Sequence, residues 1–261
     1  MKTPFQYLAE KSVSILVLGL LMQTQAFASP ETHLFLFGGG NKNPVALQKW
    51  MDAGTKKSSH LLLIHWGTDY PIETCQDFIE TVGKIANGKV LCFPPREQIG
   101  RQKKLFLREL RTAQGIFFAG GDQNKIMEVF DHHPDLKSAI IQAFKNGIPV
   151  AGTSAGTAIQ SRTMISGETP RVQTRSGLGL VSSVIVDQHF IRRNREERLK
   201  EALLNNSETL GLGVDEDAAL VITNGRYARP VFGPTVLIKE TANGFIQEIL
   251  TPGDEVDLSI N

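Results

Sequence analysis

The residues whose types and spacing best fit a chemical role are at positions 152–156, which read Gly-Thr-Ser-Ala-Gly. A short apolar run precedes them and a helix-like run follows, so the pattern predicts a tight turn between a strand and a helix. Such a turn holds a serine above the sheet with its hydroxyl exposed. We expect Gly152 to permit the sharp bend and Gly156 to let the helix pack close to the strand. Ser154 is therefore a candidate nucleophile, and the alternative is an ordinary turn of small residues.

A serine nucleophile needs a base, and His189 is the best candidate for general base and acid. It ends a predicted strand, follows Asp187 and Gln188, and precedes a run of arginines. His33 and His60 are predicted to precede strands, and His132 and His133 to flank a surface turn. His65 ends the second predicted strand; we expect it to be partly buried with its hydrogen bonds made, and the alternative is that it lines the site.

A base of this kind is oriented by a carboxylate. The turn at residues 213–218 carries Asp215, Glu216 and Asp217 between two apolar strands. Acids beside buried strands are costly unless they are paired. Glu168 and Asp187 are further candidates. We predict that Glu216 orients the base, although the pattern alone does not separate it from its two neighbours. The alternative is three solvated turn acids.

A second glycine turn, at residues 119–123, ends the fourth predicted strand. The N–H group of Gly120 or Gly121, together with that of Ala155 at the helix start, can stabilise an oxyanion. Gln123 can reach the same cleft as a polar contact. A phosphate-binding loop is the competing interpretation, but the Gly-Lys-Ser/Thr that such a loop requires is missing.

Four arginines follow the proposed base, namely Arg192, Arg193, Arg195 and Arg198. Asn194 is predicted to cap the helix that begins there. Cations are mildly unfavourable at a helix N-terminus. Because the run directly follows the proposed base, where anionic substrate groups would be stabilised, we interpret it as a site for substrate carboxylates. A solvated helix face is the alternative.

The elements that must position these residues begin near residue 33, where short apolar runs start to alternate with helical ones. This alternation predicts an α/β fold with a parallel sheet, helices on both faces and a partly antiparallel C-terminal extension. Ligands bind at the carboxyl ends of such strands. The strand ends at Gly38, Gly120 and Gly152 therefore predict one common site. We expect a single domain over residues 29–261.

The first 28 residues are predicted to be a signal peptide. An apolar run at residues 13–21 is followed by the small-x-small sequence Ala26-Phe27-Ala28, so we expect cleavage after Ala28. A membrane anchor is the alternative, but the run is too short to span a bilayer comfortably. The mature protein is expected in the periplasm or outside the cell, without membrane attachment.

The charge is nearly balanced, with a formal net charge of +1, so no broad field for nucleic acid or membranes is expected. Cys75 and Cys92 could be joined in an exported protein, or they could be two partly buried free thiols. Neither has a second cysteine or histidine at ligand spacing, and no metal site is predicted.

Four motifs, in this order along the chain, resemble those of the cyanophycinases. They are residues 117–123, residues 152–156, residues 187–190 with the arginines at 193, 195 and 198, and residues 213–217. Cyanophycinases belong to the serine peptidase family that also holds the aspartyl dipeptidases, and the resemblance covers roughly residues 35–221. It implies a flavodoxin-like fold related to class I glutamine amidotransferases, and a homodimer. It also implies hydrolysis of multi-L-arginyl-poly-L-aspartate to β-Asp-Arg dipeptides without a cofactor.

Carried over to this chain, the resemblance makes Ser154 the nucleophile, His189 the base and Glu216 the third member. It assigns the substrate's aspartyl carboxylates and arginyl side chains to Gln123, Asp187, Gln188, Arg193, Arg195 and Arg198. The expected chemistry is acyl transfer at an amide that links a β-aspartyl unit, through an acyl-enzyme.

The chain also departs from the family pattern. The segment between Ser154 and Asp187 is shorter than is typical, Thr157 replaces an alanine, and His65-Trp66 replaces small polar residues. These changes leave open a second substrate class, short aspartyl or isoaspartyl peptides. The aspartyl dipeptidases, however, usually carry Gly-Gly-Asn at the second glycine turn and lack the arginine run. A non-catalytic exported binding protein on the same fold is the more distant alternative.

Overall fold

The structure is a computed structural model that describes residues 29–54, 60–86, 88–168 and 170–259. The predicted signal peptide, residues 1–28, lies outside these ranges. The strands are β1 His33–Phe37, β2 His60–Ile64, β3 Lys89–Cys92, β4 Gly115–Phe118, β5 Val150–Thr153, β6 Thr163–Gly167, β7 Gln173–Ser176, β8 Val184–Gln188, β9 Leu210–Val214, β10 Ala219–Thr223, β11 Tyr227–Phe232, β12 Thr235–Thr241, β13 Gly244–Leu250 and β14 Val256–Asp257. The helices are α1 Pro44–Ala53, α2 Pro71–Gly83, α3 Ile99–Leu110, α4 Gln123–His132, α5 Pro134–Lys145, α6 Ala155–Ala158 and α7 Glu196–Leu204, and a short 3₁₀ helix, Arg96–Gln98, precedes α3.

A mixed eight-stranded sheet forms the centre of the molecule, in the order β14-β11-β10-β1-β5-β4-β2-β3. Strands β1 to β5 are parallel, and β10 pairs with β1 in the antiparallel sense. The predicted α/β fold is therefore confirmed. Because β1, β5 and β4 are neighbours, their carboxyl ends meet at one edge, as ligand sites in such sheets require.

The inner parallel strands β1, β2, β4 and β5 are buried because helices cover both faces of the sheet, whereas the edge strand β3 is only partly buried. Along β1, Leu34 and Leu36 belong to one hydrophobic cluster, whereas Phe35 and Phe37 belong to another. Residues from α3, α4 and α5 complete the first cluster, and residues from α1 and α2 complete the second. This alternation follows from the two-residue period of a strand, and it explains why the strands read as continuous apolar runs.

The second half of the chain forms two further sheets. One has four strands in the order β13-β12-β9-β8, with β8 parallel to β9 and the other pairs antiparallel. The other is the β6–β7 hairpin, which precedes β8 in the chain. The antiparallel extension is present as predicted, but β8, which leads to His189, lies in the four-stranded sheet rather than the central one. Since β9 continues through residues 215–218 into β10, this second sheet is tied to the centre.

Cys75 and Cys92 form a disulfide that joins α2 to β3, with their Cα atoms 5.9 Å apart. Of the two alternatives left open by the sequence, the bonded one is therefore present. The bond fastens α2 to the edge strand of the central sheet, which matters because α2 borders the site described below.

Gly147 follows α5 with a φ of 85°, as a residue that ends a helix does. The prediction that Asn194 caps α7 is wrong, because Asn194 has a φ of 52° and Arg195 precedes the helix without a side-chain cap bond. Within the described ranges, no helix has the length and apolar character to cross a membrane, and no group of histidine, cysteine and acidic side chains could hold a metal ion.

Candidate active site

Ser154 lies at the tip of a strained turn between β5 and α6, with φ 52° and ψ −116°. A non-glycine residue rarely takes a positive φ, and such strain concentrates at functional sites. A Cβ on Gly156 would collide with the carbonyl oxygen of Phe118, so this glycine allows the close packing that we predicted. Gly152 permits the sharp bend, as we predicted, because a Cβ there would collide with the carbonyl of Gly156, four residues farther along the chain.

Thr157 fastens this turn to the sheet. Its side chain is fully buried, and its hydroxyl is 2.7 Å from the carbonyl oxygen of Phe37 and 2.6 Å from that of Gly152. The hydroxyl therefore links the end of β1 to β5 beneath the serine. An alanine at this position could not make that link, so the departure from the family pattern serves the position of the turn.

The structure brings Ser154, His189 and Glu216 into one hydrogen-bonded chain. His189 Nε2 is 2.8 Å from Ser154 Oγ, and Nδ1 is 2.6 Å from Glu216 Oε1. A carboxylate accepts only, so Nδ1 donates to Glu216 and Nε2 is left to accept the serine proton. This is the relation between nucleophile, base and orienting acid that the sequence predicted.

The imidazole is held from below by the β1 turn. His189 has a φ of 47°, and its N–H donates to the carbonyl of Gly38 at 2.8 Å. Gly39 lies directly against the ring, where any Cβ would overlap the imidazole. Position 39 therefore has to be glycine, because any side chain there would displace the imidazole of His189. From the sequence, this glycine run was predicted only to end a strand.

The three acids of the 213–218 turn have three different partners. Glu216 accepts from the imidazole, Asp217 Oδ1 accepts from the N–H of Asn41 at 2.6 Å, and Asp215 Oδ1 accepts from the N–H of Arg192 at 2.9 Å. None of them is simply a solvated turn acid. Glu216 is the one that contacts the base, and its neighbours fix the two backbone segments beside it.

Burial lowers the pKa of His189 below its usual value, because a protonated ring would be poorly solvated. The hydrogen bond to Glu216 opposes this effect, and the nearby cations of Arg193 and Arg195 add to it. A neutral imidazole is the form that can accept the serine proton. The environment therefore keeps the base ready at a lower pH than a free histidine would allow.

The predicted oxyanion donors surround the serine. Gly120 is adjacent to it, since a Cβ there would be 3.4 Å from the Ser154 Cβ, whereas Gly121 packs against Gly67. Ala155 is the first residue of α6. Across the described residues, no backbone or side-chain acceptor takes the N–H of these two glycines or of Ala155. Which of the two glycines serves stays a prediction.

The arginine cluster consists of Asp187, Arg195, Arg198 and Glu168. Asp187 is 1% exposed and accepts two hydrogen bonds from the Arg198 guanidinium, one of them from Nε at 2.9 Å. Arg198 also donates to Glu168 at 3.0 Å. Burial alone would lower the pKa of Arg198, but its bonds to these two acids outweigh it and raise the pKa.

Arg195 completes this cluster by donating to the backbone and side-chain oxygens of Gln188, at 2.7 and 2.9 Å. The residues predicted to bind substrate are thus close together, but four of them already bind one another: Asp187, Gln188, Arg195 and Arg198. Arg193 is exposed, and Gln123 donates to the carbonyl of Ile165 at 3.2 Å. Of the six, Arg193 keeps its guanidinium most accessible to a ligand.

Two charged residues that line the cavity containing Ser154, namely Lys42 and Asp77, were not identified from the sequence. This cavity has a volume of about 340 Å³ and is bordered by Ser154, His189 and Gly120 as well. The signal that could have found Lys42 is its position, because it follows the glycine turn at the carboxyl end of β1. Asp77 had no such signal, since it is one of several acids on a surface helix.

The pair His65-Trp66 does not reach this cavity. Both side chains are buried, and Trp66 packs among Phe93, Phe106 and Phe130. The expectation that His65 has its hydrogen bonds made is wrong for Nδ1, which is buried without a partner in the part of the chain described. This departure from the family pattern therefore changes the core rather than the pocket.

Comparison with known proteins identifies the family of this chain. A model of peptidase family S51 matches residues 73–229, which is more than half of the chain. Cyanophycinases from Geminocystis herdmanii and Trichormus variabilis are 38% and 37% identical over 151 and 152 residues, and each match covers 55% of this chain. The matches cover 55% and 51% of those proteins, so the chain spans about half the length of the curated relatives it matches. A peptidase E from Streptomyces coelicolor is 29% identical over 132 residues, covering 46% of this chain and 53% of that protein.

Solved structures share the fold. A peptidase from an acI-B1 Actinobacterium superposes with a TM-score of 0.72 at 21% identity, over 88% of this chain and 99% of that one. A putative peptidase E protein from Listeria monocytogenes gives a TM-score of 0.54 at 14% identity, over 85% and 100%. At such identities the likeness is one of fold alone.

Proposed function

Because the chain belongs to peptidase family S51, we propose that it is an exported serine-type exopeptidase that hydrolyses cyanophycin to β-Asp-Arg dipeptides. The observation that carries this proposal is the hydrogen-bonded chain from Ser154 through His189 to Glu216. The cyanophycinases among its relatives support the choice of substrate.

Hydrolysis proceeds in two steps. Ser154 Oγ attacks the amide carbon while His189 Nε2 takes the hydroxyl proton, and the oxyanion is bound by the N–H of Ala155 with that of Gly120 or Gly121. The C–N bond then breaks, and the imidazolium gives its proton to the leaving amine. Water attacks the resulting ester with His189 again as base, which frees the acid product and restores the serine.

The products decide which amide is broken. In multi-L-arginyl-poly-L-aspartate, each arginine is attached through its amine to an aspartyl β-carboxyl group. Release of β-Asp-Arg leaves that isopeptide bond intact, so the broken bond is the main-chain amide between consecutive aspartyl units. The site must therefore accept an arginyl substituent beside the bond that it cuts. From the sequence we expected only that the broken amide links a β-aspartyl unit, and the products identify it as the main-chain amide.

The test is Ser154→Ala, measured by mass analysis of products released from purified cyanophycin. We expect β-Asp-Arg from the unmodified protein and none from the variant, with an unchanged circular dichroism spectrum. Ser138→Ala, at an exposed position on α5, is the matched control and should keep full activity. Unchanged turnover by Ser154→Ala would exclude this serine as the nucleophile.

The alternative functions differ in measurable ways. A dipeptidase would cleave short aspartyl or isoaspartyl peptides and leave the polymer untouched, and the Streptomyces coelicolor peptidase E favours testing that class. A non-catalytic binding protein would form no adduct at Ser154 with a serine-directed phosphonate. A panel of the polymer and small peptides, run beside phosphonate labelling, separates all three functions.

Export and assembly are part of the same proposal. Cleavage after Ala28 is checked by the N-terminal sequence of protein recovered outside the inner membrane. A disulfide between Cys75 and Cys92 fits an oxidising compartment. A homodimer is checked by light scattering coupled to size exclusion.

A further inference from the structure

Two cavities join beside the nucleophile. The cavity of about 340 Å³ that contains Ser154 shares Gly40, Lys42 and Asp77 with a second cavity of about 510 Å³. The second one lies between the start of α1 and α2, and Glu80 and Lys84 border it. We call the two together the lysine groove. It offers a continuous path from the serine to the outer surface of α2.

The two charges at the centre of the lysine groove act on each other electrostatically but form no ion pair. Across the described residues, neither the Lys42 ammonium nor the Asp77 carboxylate makes an ion pair or a side-chain hydrogen bond. Burial lowers the pKa of Lys42, and the charge of Asp77 only partly opposes this. A partly desolvated charge without a partner gains most from a ligand of opposite sign.

The segment that carries Lys42 is held in place by the turn at residues 213–218. Gly40 has a φ of 66°, and the next N–H, that of Asn41, donates to Asp217 at 2.6 Å. Asn43 caps α1 by accepting from the N–H of Val45 at 2.9 Å. The lysine therefore projects from a segment that is fixed on both sides, as a specificity contact requires.

The inner wall of the groove is apolar, with Leu63, Phe78 and Phe117 beside the two charges. An arginyl group joined through its amine presents a free carboxylate, a stem of methylene groups and a guanidinium. The carboxylate, the methylene stem and the guanidinium match, respectively, the Lys42 ammonium, the apolar wall and the Asp77 carboxylate. The outer pair, Lys84 and Glu80, repeats the two charges farther along α2. From Asp77 to Lys84 the helix rises about 10 Å, which is the reach of about three extended residues.

We propose that the lysine groove is a binding track for aspartyl–arginine chains, in which Lys42 pairs with the carboxylate and Asp77 with the guanidinium of the arginyl group nearest Ser154. Glu80 and Lys84 bind, in the same manner, the arginyl group about three units farther along the chain. This inference rests on the proposed function and adds the residues that select a polymer over a short peptide.

The test uses synthetic peptides of two and four β-Asp-Arg units. In one series the arginyl carboxylates are amides, and in another citrulline replaces arginine. Binding is measured by calorimetry with the Ser154→Ala protein, and turnover with active protein. We expect the unmodified peptide to bind at least tenfold more tightly than either analogue, since each analogue removes one charged hydrogen bond.

Each variant should abolish one preference and keep the other. Lys42→Met should bind the parent and the amidated peptide equally, yet still prefer arginine to citrulline. Asp77→Asn should show the reverse pattern. The matched controls are Lys49→Met on α1 and Glu73→Gln on α2, which are exposed and border neither cavity of the groove; both should keep the full preferences. A variant that only disturbs the structure would weaken all peptides alike.

The outer pair is tested by chain length. The double variant Glu80→Gln, Lys84→Met should lose the advantage of four units over two and keep the affinity for two units. If the preferences survive in Lys42→Met and Asp77→Asn while the polymer is still cleaved, the groove proposal is overturned and the proposed function stands. If no polymer is cleaved but the charge-dependent binding is found, the groove stands and the proposed function fails.

Discussion

The two charged regions around Ser154 are built in opposite ways. In the arginine cluster, Asp187 is buried and both of its oxygens are used by Arg198, so the cluster satisfies itself. In the lysine groove, Lys42 and Asp77 lie near each other without pairing. The difference teaches that two of the conspicuous arginines, Arg195 and Arg198, are already bonded to Gln188 and Asp187, whereas the inconspicuous lysine makes no ion pair among the described residues and lines the cavity that contains Ser154.

The largest expected effect is at the turn that lies between the two regions. Glu216→Gln should reduce kcat/KM by about 10³ to 10⁴-fold, because the amide no longer stabilises the imidazolium or fixes its tautomer. Asp217→Asn, on the lysine groove side of the same turn, should reduce it far less. Steady-state kinetics on a soluble β-Asp-Arg peptide measures both. Equal losses would mean that the turn acts only through its backbone.

The second largest difference should be in how much each region contributes to the free energy of unfolding. Asp187→Asn leaves the buried Arg198 without its main anion and should lower the free energy of unfolding by about 3 to 5 kcal/mol. Asp77→Asn should change it by no more than about 0.5 kcal/mol, as expected for a surface residue without a partner. Urea unfolding of both variants gives the comparison. A large loss in Asp77→Asn would show that this carboxylate has a structural role.

The disulfide should stabilise the fold and hold α2, which borders the lysine groove, against the central sheet. Reduction of the Cys75–Cys92 bond opens a short loop and should lower the free energy of unfolding by about 3 kcal/mol. It also releases α2, so KM for the polymer should rise more than KM for a two-unit peptide. Thermal unfolding and kinetics with and without a phosphine reductant measure these effects. The Cys75→Ser, Cys92→Ser variant, insensitive to reductant, is the control.

The smallest expected effect is that of the Arg193 cation on the pKa of His189. Arg193 lowers the pKa of His189, so Arg193→Gln should raise that pKa. The base is active when neutral, and the acid limb of kcat/KM should therefore move to higher pH. Arg192→Gln is the matched control, because that side chain is exposed and does not act on the imidazole. A limb that stays in place would show that solvent screens Arg193 completely.

The sequence by itself determined the features that local chemistry encodes. A glycine on each side of Ser154, after an apolar run and before a helix, is enough to specify the strained turn. The alternation of strands and helices was enough to predict a parallel sheet with both faces covered. These inferences succeeded because they depend on residues within one turn, or on the period of a strand or a helix.

Tertiary structure alone decided which charged groups meet. Glu216 contacts His189, and Asp217 does not, because the pairing of β1 with β10 turns their common loop toward the glycines after β1. The same packing sets Lys42 beside Ser154, although they are far apart in the chain, and gives Arg198 to Asp187 rather than to a ligand. Charge pairing depends on distances of a few ångströms between distant segments, and a linear pattern carries no measure of those distances.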